Sequence, residues 1–351
     1  MQTWIVTGVS GSGRIELLNE LSEYCKSQNR TVVVHDVGAM IAAEARHQRL
    51  PFADDKILDV DASLLRALRA AVVCKVRLRI LEHPTVDLHL IGVHACFRWK
   101  ERLIPGISFA DIGDLQPDGF INVVDDVQKV LDVNSRNPKW DSTSLPDLAH
   151  TQDWMIEEEF ITEVLAEVQA KPMYLVARNH TISNLADLFF SSKKRIYLSY
   201  PITAVRREQP ELLARIQGEI LAALESIFVV FNPLTIEDMS LMDAGTFPET
   251  VDQLTPEVQA LIKSRTVERD YQFIDQSDAV VVYYMTDKIS PGVLAEIYYA
   301  HRNMKTVYLC FPDALSPFLE GAATQISKTP EAQFVLLQKF AAEKSRSGDV
   351  A

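Results

Sequence analysis

Glu296 is the residue whose type and setting most directly indicate chemistry. It follows the apolar run DAVVVYY and the turn ISPG, and it lies among apolar neighbours in the helix-like segment VLAEIYYAHR. A carboxylate beside the carboxyl end of parallel strands can attack the anomeric carbon of a sugar while a second carboxylate protonates the leaving base. The pattern therefore indicates N-glycosidic chemistry. The alternative is a carboxylate that only stabilises its helix through the dipole, an effect of about 0.3–1 kcal/mol.

Two aspartates are candidates for the second carboxylate. Asp270 lies on a helix that runs into the same strand, and Asp278 lies at the start of that strand. An acid inside the charged run ERD is usually solvated, and an aspartate at a strand start can simply end a strand pair, so each has a purely structural alternative. Pro291 at the first helical position leaves N–H groups that favour an anion such as a 5′-phosphate. The sequence thus places a phosphate and a carboxylate in one crevice.

A second motif, GVSGSGRI, follows the first apolar strand and opens a helix. In a phosphate-binding loop, glycines let backbone N–H groups wrap a phosphate, and a lysine and a Ser/Thr hydroxyl then hold the outer phosphates and Mg²⁺. Gly8, Gly11 and Gly13 fit that spacing. Arg14 replaces the lysine and keeps its charge, whereas Ile15 replaces the hydroxyl and cannot bind Mg²⁺. We expect a phosphate cradle with incomplete catalytic equipment; a tightly packed strand-to-helix turn is the alternative.

The elements that position these residues alternate between apolar strands and amphipathic helices. In the first half we predict strands at 3–7, 31–35, 87–93, 120–124 and 172–177, and helices at 14–28, 36–48, 60–82 and 152–170. In the second half we predict strands at 195–199, 227–231, 279–284 and 305–311, and helices at 207–225, 255–275, 291–303 and 330–345. Such alternation is typical of parallel sheets covered by helices. The sequence predicts an α/β fold of two doubly wound domains, 1–190 and 195–351.

Composition excludes several classes of protein. With 47% hydrophobic and 24% charged residues, the 351-residue chain is typical of a globular protein rather than a collagen, a coiled coil or a disordered tail. A formal net charge of −13 argues against a protein that coats nucleic acid, so a small-molecule partner is expected. The four cysteines form no CxxC or Cys/His cluster, so neither disulfides nor a metal site is expected. Because no signal-peptide pattern or membrane-length apolar window is found, we expect a cytoplasmic protein without a membrane partner.

Over about residues 1–190 the chain resembles the adenylate-kinase-like family of small P-loop nucleotide kinases, especially the archaeal type. The resemblance is carried by VTGVSGSGR, VVVHDVGAMIAAEA, VDLHLIGVHACFRWKERLIPG and QPDGFINVVDD. It implies a P-loop kinase-like fold in which Asp36 helps to frame an acceptor nucleotide and Arg98 helps to hold a phosphate. A helix cap at Asp36 and a solvated charge at Arg98 are the alternatives. Arg136 and Lys139 are the obvious candidates for a basic lid.

Residues 194–312 resemble the nucleoside 2-deoxyribosyltransferase-like superfamily, which includes the 2′-deoxynucleoside 5′-phosphate N-hydrolases. The shared pattern is a tyrosine-containing first loop, an aspartate before the SD that starts a hydrophobic strand, and S-x-G-V-x-x-E at a helix start. The resemblance implies a flavodoxin-type sheet. It also implies that Glu296 is the nucleophile, Asp270 the proton donor or orienting acid, and Tyr197 a sugar-pocket or nucleophile-orienting hydroxyl. Ser290 and Gly292 would contact a phosphate.

The loop after the first strand of this segment departs from the phosphate-hydrolysing branch. Thr203 stands where that branch carries an arginine, and Arg206 or Arg207 are candidates to supply the missing charge. Through Pro201 the loop SYPIT is also similar to the A-G-P-F loop of the transferases. The choice between hydrolase and transferase, and the choice of substrate, stay open.

Together these observations predict a nucleotide-metabolism enzyme that cleaves, or transfers across, the N-glycosidic bond of a nucleoside or nucleoside 5′-monophosphate. No cofactor is expected for that reaction, and ATP with Mg²⁺ is the candidate ligand of the fused, degenerate P-loop domain. Two alternatives stay open: a nucleotide-sensing protein without turnover, and a nucleoside monophosphate kinase with an accessory second domain. Because members of the second family often complete their sites between subunits, the resemblance also implies a homo-oligomer.

Overall fold

The structure is a computed structural model that describes residues 1–50, 56–99, 102–140, 145–238 and 254–343. By its internal contacts the chain divides into two compact units. The first unit comprises Met1–Ile182 and Thr235–Arg265, and the second comprises Ser183–Leu234 and Thr266–Ala351. Within the ranges described, no helix combines the length and apolar character that crossing a membrane requires.

The first unit is built on a parallel sheet flanked by helices. Its strands are β1 (Gln2–Thr7), β2 (Val32–Asp36), β3 (Leu88–Gly92), β4 (Cys96–Trp99), β5 (Arg102–Pro105), β6 (Gly119–Val124) and β7 (Met173–Ala177). Its helices are α1 (Arg14–Ser27), α2 (Val37–His47), α3 (Ala62–Glu82), α4 (Phe109–Leu115), α5 (Val127–Ser135) and α6 (Leu148–Val168), with a 3₁₀ turn at Ile57–Asp59. The parallel sheet has the order β2-β3-β1-β6-β7, and β4 and β5 form a separate antiparallel pair.

The strands of this sheet are almost entirely apolar, as expected for parallel strands that are covered on both faces. Every residue of β3 and of β6 is buried. The long helix α3 begins at Asp61, whose side chain accepts hydrogen bonds from the backbone of Ser63 and Leu64. Because β1 ends at Thr7 and α1 begins at Arg14, the glycine-rich loop leaves the carboxyl end of the sheet.

The second unit is built on another parallel sheet, of order β12-β11-β10-β8-β9. Its strands are β8 (Arg195–Ser199), β9 (Val229–Phe231), β10 (Ala279–Tyr283), β11 (Thr306–Cys310) and β12 (Gln325–Ser327). Its helices are α7 (Ile182–Phe190), α8 (Ile202–Glu208), α9 (Pro210–Arg215), α10 (Leu221–Ile227), α12 (Pro291–Arg302), α13 (Pro317–Ala322) and α14 (Pro330–Ala342), together with the part of α11 (Pro256–Asp275) that follows Arg265. A π-helical segment, Ile216–Ile220, joins α9 to α10, and Pro233–Thr235 form a 3₁₀ turn. Numbered within the unit, the strand order is 2-1-3-4-5, the flavodoxin-like arrangement.

Strand β8 divides its side chains between the two faces of this sheet. Ile196 and Leu198 belong to the apolar core formed with α10 and α14. Since side chains two residues apart on a strand point to the same side, Tyr197 and Ser199 share the opposite face. There the Tyr197 ring stacks on Phe273 of α11, with 6.5 Å between ring centroids.

The predicted α/β class with two parallel sheets is confirmed. The nine predicted strands all form, within two residues of their predicted bounds. The hairpin β4–β5 and the short strand β12 were not predicted. The helix predicted at 207–225 is wrong as a single element, because Pro210 cannot continue the preceding helix and instead begins α9.

Candidate active site

The Glu296 carboxylate is held at both of its oxygens by hydroxyl groups of β8. Glu296 lies in the second turn of α12, which begins at Pro291. The Ser199 hydroxyl donates to Oε2 at 2.5 Å, and the Tyr197 hydroxyl donates to Oε1 at 3.2 Å. The two hydroxyls fix the orientation of the carboxylate and favour its ionised form. Tyr197 is therefore placed as the predicted nucleophile-orienting hydroxyl would be, and Ser199 is a contact that the sequence did not predict.

Asp270 lies close enough to Glu296 for the two carboxyl groups to interact. Burial and the charge of Asp270 raise the pKa of Glu296, while the hydrogen bonds from Ser199 and Tyr197 oppose that shift. Burial likewise raises the pKa of Asp270, and the Arg269 charge opposes it. Burial, Asp270 and Glu296 together hold the pKa of Tyr197 well above its ordinary value, so the phenol stays a donor. Two buried carboxyl groups of this kind lose their protons one after the other, as a pair.

Asp270 and Glu296 differ in their hydrogen bonding. The Asp270 Oδ1 atom is buried and receives no hydrogen bond from the residues that the structure describes, with the Arg269 Nε atom 3.9 Å away. An oxygen without a donor disfavours the charged form of its carboxyl group. The two carboxyl groups therefore differ in their surroundings: Glu296 has two hydroxyl donors, and the Oδ1 atom of Asp270 has none among the described residues.

A cavity of about 590 Å³ opens beside Glu296, within the usual size range of small-molecule sites. Its wall includes Ser290 and Gly292, the two predicted phosphate contacts, at the start of α12. A Cβ atom built on Gly292 would have no neighbour within 4 Å, so the backbone there borders open space. The ISPG turn is fixed by the Tyr284 hydroxyl, which accepts from the Ser290 N–H at 2.7 Å and donates to the Lys288 carbonyl at 3.0 Å.

The charged groups of the cavity lie on α8 and on the loop before α12. Arg207 and Lys288 line the wall, and Glu208 lies near both, 3.2 Å from the Arg207 guanidinium and 3.9 Å from the Lys288 ammonium. Thr203 also lines the wall. Of the two arginines considered as replacements for the missing loop charge, Arg207 is the one among the lining residues.

Asp278, the other aspartate considered as a second carboxylate, is engaged elsewhere. Its side chain accepts from the Arg195 backbone at 2.8 Å and from the Arg195 guanidinium at 2.7 Å, at the start of β8 and β10. The side-chain hydrogen bonds and charge of Arg195 hold the pKa of Asp278 below its ordinary value, against the effect of burial. Asp278 therefore ties strand starts together, at the amino end of the sheet.

The glycine-rich loop of the first unit adopts the backbone that its glycines allow. Gly11 has φ +86 and Gly13 has φ +68, in the region that residues with a side chain rarely adopt. A Cβ on Gly11 would lie 2.7 Å from the Val130 carbonyl oxygen, and one on Gly13 would lie 2.7 Å from the Arg178 side chain. These two positions thus need glycine for close packing as well as for conformation.

Arg14 turns back into the loop. Its guanidinium is buried and donates a hydrogen bond to the Gly8 carbonyl oxygen. Burial lowers the pKa of Arg14, and the negative charges of Glu158 and Asp36 raise it. The cation that would meet a phosphate therefore already donates to the loop's own backbone, although its buried Nε atom has no acceptor among the described residues.

Glu158 of α6 is a buried carboxylate that sequence reasoning missed. It is 1% exposed and accepts hydrogen bonds from three backbone N–H groups: Gly8 at 3.0 Å, Ala95 at 2.8 Å and Cys96 at 2.7 Å. Burial raises the pKa of Glu158, and the hydrogen bonds from Cys96 and Ala95 lower it. The sequence offered only a weak signal, an acid at a buried position of an amphipathic helix.

The remaining predicted nucleotide contacts have structural partners. The Asp36 side chain caps α2 by accepting from the Ala39 N–H at 3.0 Å, the alternative that the sequence had left open. Arg98 donates to both oxygens of Glu157, at 2.7 and 2.5 Å. The loop, Asp36 and Arg98 all belong to the first unit, and Arg98 is paired there with Glu157.

The residues of the loop do not fit Mg-ATP as a phosphoryl donor. Ile15 has no oxygen for the metal, and its side chain packs towards Gly92 of β3. Arg14 is occupied by the Gly8 carbonyl, and the neighbouring Glu158 carboxylate would repel a phosphate. No step of the chemistry below uses this loop.

Comparison with known proteins adds no family assignment. No protein-family model matches the chain, and a search of curated proteins returned no match. The two family resemblances therefore rest on the residues quoted for them.

Proposed function

We propose that the second unit cleaves, or transfers across, the N-glycosidic bond of a nucleoside or nucleoside 5′-monophosphate. The observation that carries this proposal is the Glu296 carboxylate, oriented by two hydroxyl donors in the wall of a nucleotide-sized cavity, with a second carboxyl group beside it. A carboxylate so fixed suits attack on carbon because its ground-state geometry needs little reorganisation.

The reaction runs in two displacements. Glu296 attacks C1′ of the sugar, the bond from C1′ to the base nitrogen breaks, and its electron pair leaves with the base, which takes a proton from Asp270. The product of this half is a sugar ester of Glu296. In the second half Asp270 takes a proton from water, or from an incoming base, whose oxygen or nitrogen attacks C1′ and releases Glu296 as the carboxylate.

The cavity supports a nucleotide-like substrate by its size and charge. Arg207 and Lys288 supply positive charge at the wall, with Glu208 near both, and the first backbone N–H groups of α12 border the same space. A 5′-phosphate and a neutral nucleoside both suit this volume, and the assay distinguishes them.

Phosphoryl transfer by the first unit is the weaker candidate. The buried Arg14 guanidinium donates to the Gly8 carbonyl, and Ile15 offers no metal ligand. We therefore propose that the first unit does not transfer phosphate. Binding of nucleotide without turnover is the alternative, and equilibrium binding of ATP to the same protein detects it.

The test is a product assay on the full chain. Purified protein is incubated with ribo- and deoxyribonucleosides and their 5′-monophosphates, with and without Mg-ATP, and free base and diphosphates are separated by chromatography. We expect free base without metal, none from Glu296→Gln, and normal release from the matched control Glu320→Gln, an exposed glutamate of α13. Diphosphate from the wild type, or base release that survives Glu296→Gln, would overturn the proposal.

A further inference from the structure

Ser199 makes the shorter of the two hydrogen bonds to the Glu296 carboxylate. Its hydroxyl lies 2.5 Å from Oε2, whereas the Tyr197 hydroxyl lies 3.2 Å from Oε1. Ser199 is fully buried at the end of β8, and its backbone is in parallel register with Val282 of β10. Because Ser199 is held by its strand within the sheet, its hydroxyl cannot follow the Glu296 carboxylate if the carboxylate moves. The hydrogen bond therefore fixes the position of the carboxylate.

The hydroxyl also affects the ionisation of the Glu296 carboxyl group. Among the described residues, Ser199 and Tyr197 from β8 and Asp270 from α11 interact with the Glu296 carboxyl group, and Arg207, Glu208 and Lys288 line the same cavity. Asp270 repels a charge on Glu296, and the two hydroxyls attract one. The Ser199 hydroxyl, which makes the shorter of the two hydrogen bonds, therefore favours the ionised form of Glu296 against the opposing effects of burial and Asp270.

We infer that Ser199 is a positioning residue that holds the Glu296 carboxylate in place and stabilises its negative charge. Its catalytic consequence rests on the proposed function, because a charged Glu296 and a protonated Asp270 are what the first displacement requires. Its electrostatic consequence is independent of any substrate.

The test compares substitutions that distinguish the effect of losing the hydroxyl from the effect of changing the side-chain volume. Ser199→Ala removes the hydroxyl, Ser199→Cys replaces it with a weak donor of similar size, and Ser199→Thr keeps it. Ser277→Ala is the matched control, since Ser277 is a buried serine of the same unit whose hydroxyl donates to the Phe273 carbonyl.

Two readouts are measured as a function of pH. The first is kcat/KM for base release. The second is the infrared band of protonated carboxyl groups, recorded as the difference between each protein and its Glu296→Gln counterpart, which reports the titration of the pair that contains Glu296. Loss of one hydrogen bond to a charged group corresponds to about one pH unit. We expect Ser199→Ala and Ser199→Cys to move both the acid limb and the infrared titration upward by about that amount.

At neutral pH we expect kcat/KM to fall about tenfold or more in Ser199→Ala and Ser199→Cys, and to recover in part as the pH rises. In Ser199→Thr and Ser277→Ala we expect kcat/KM to stay within a few-fold of wild type. An unmoved titration in folded Ser199→Ala, or equal loss in Ser199→Thr, would overturn the inference. If the wild type releases no base from any substrate, the proposed function fails, whereas the infrared titration still decides the role of Ser199.

Discussion

Removal of the Glu158 carboxylate is expected to destabilise the first unit by about 3–5 kcal/mol. Three backbone N–H groups, of Gly8, Ala95 and Cys96, donate to it in the interior. Each buried N–H group left without an acceptor costs about 1–3 kcal/mol of folding free energy. Part of the total is offset, because the variant no longer has to bury the charge of the carboxylate. Glu158→Ala should show the full loss. Glu158→Gln keeps a carbonyl oxygen for Gly8 and Ala95 but turns an amide N–H₂ towards Cys96, so about half the loss is expected.

Tryptophan emission during urea unfolding isolates this effect from the second unit, because all the tryptophans of the chain belong to the first. These residues are Trp4, Trp99, Trp140 and Trp154. The control is Glu157→Gln, which removes the partly exposed partner of Arg98 and should cost no more than about 1 kcal/mol. If Glu158→Ala unfolds within about 1 kcal/mol of wild type at unchanged slope, the carboxylate does not hold the three N–H groups and the reasoning is refuted.

Three further outcomes follow from the second unit. Asp270→Asn should slow base release about 10²–10⁴-fold by removing the proton donor. It should also move the acid limb of the kcat/KM profile to lower pH, because Asp270 raises the pKa of Glu296. An unchanged acid limb would contradict the interaction between the two carboxyl groups. Tyr197→Phe should lower kcat about tenfold with little change in KM, since it loses one hydrogen bond to the nucleophile; a KM effect alone would indicate a sugar contact instead. Glu296→Gln should stabilise the second unit relative to wild type, and increasingly so as the pH rises above 4.5, the ordinary pKa of glutamate. The reason is that burial raises the pKa of Glu296 in the folded state, so folding of the wild type then requires proton uptake. Hydrogen exchange of the β10 amides from pH 4.5 to 8 measures the stability of both proteins, and a stability difference independent of pH would count against the raised pKa.

The sheets could be predicted because their strands are continuous apolar runs. The runs in β3, β6 and β10 are buried on both faces, as is typical of strands in the interior of a parallel sheet. β12 has three residues and β4 mixes Arg98 with apolar neighbours, so neither carries such a signal, and both form only because a neighbouring strand pairs with them.

The candidate site was predictable where residue type alone indicates chemistry. Glu296 lies among apolar residues, which is unusual for an acid, and the preceding Ser-Pro-Gly predicts the start of its helix. Ser199 was missed because a serine at a strand end is unremarkable by type; its position two residues after Tyr197, on the same face, was the available clue. Glu158 could not be predicted, because its role depends on which backbone N–H groups the fold brings to it from the glycine-rich loop after β1 and from the loop before β4.

The most direct test of the central claim is to trap the sugar on Glu296. Wild-type protein is mixed with a nucleoside or nucleoside 5′-monophosphate that the product assay identifies, quenched with acid within a turnover, digested and analysed by peptide mass spectrometry. The account predicts a sugar ester on the peptide that contains Glu296, absent after Glu296→Gln. Base release with no covalent adduct at any quench time, or with an adduct on another residue, would contradict it.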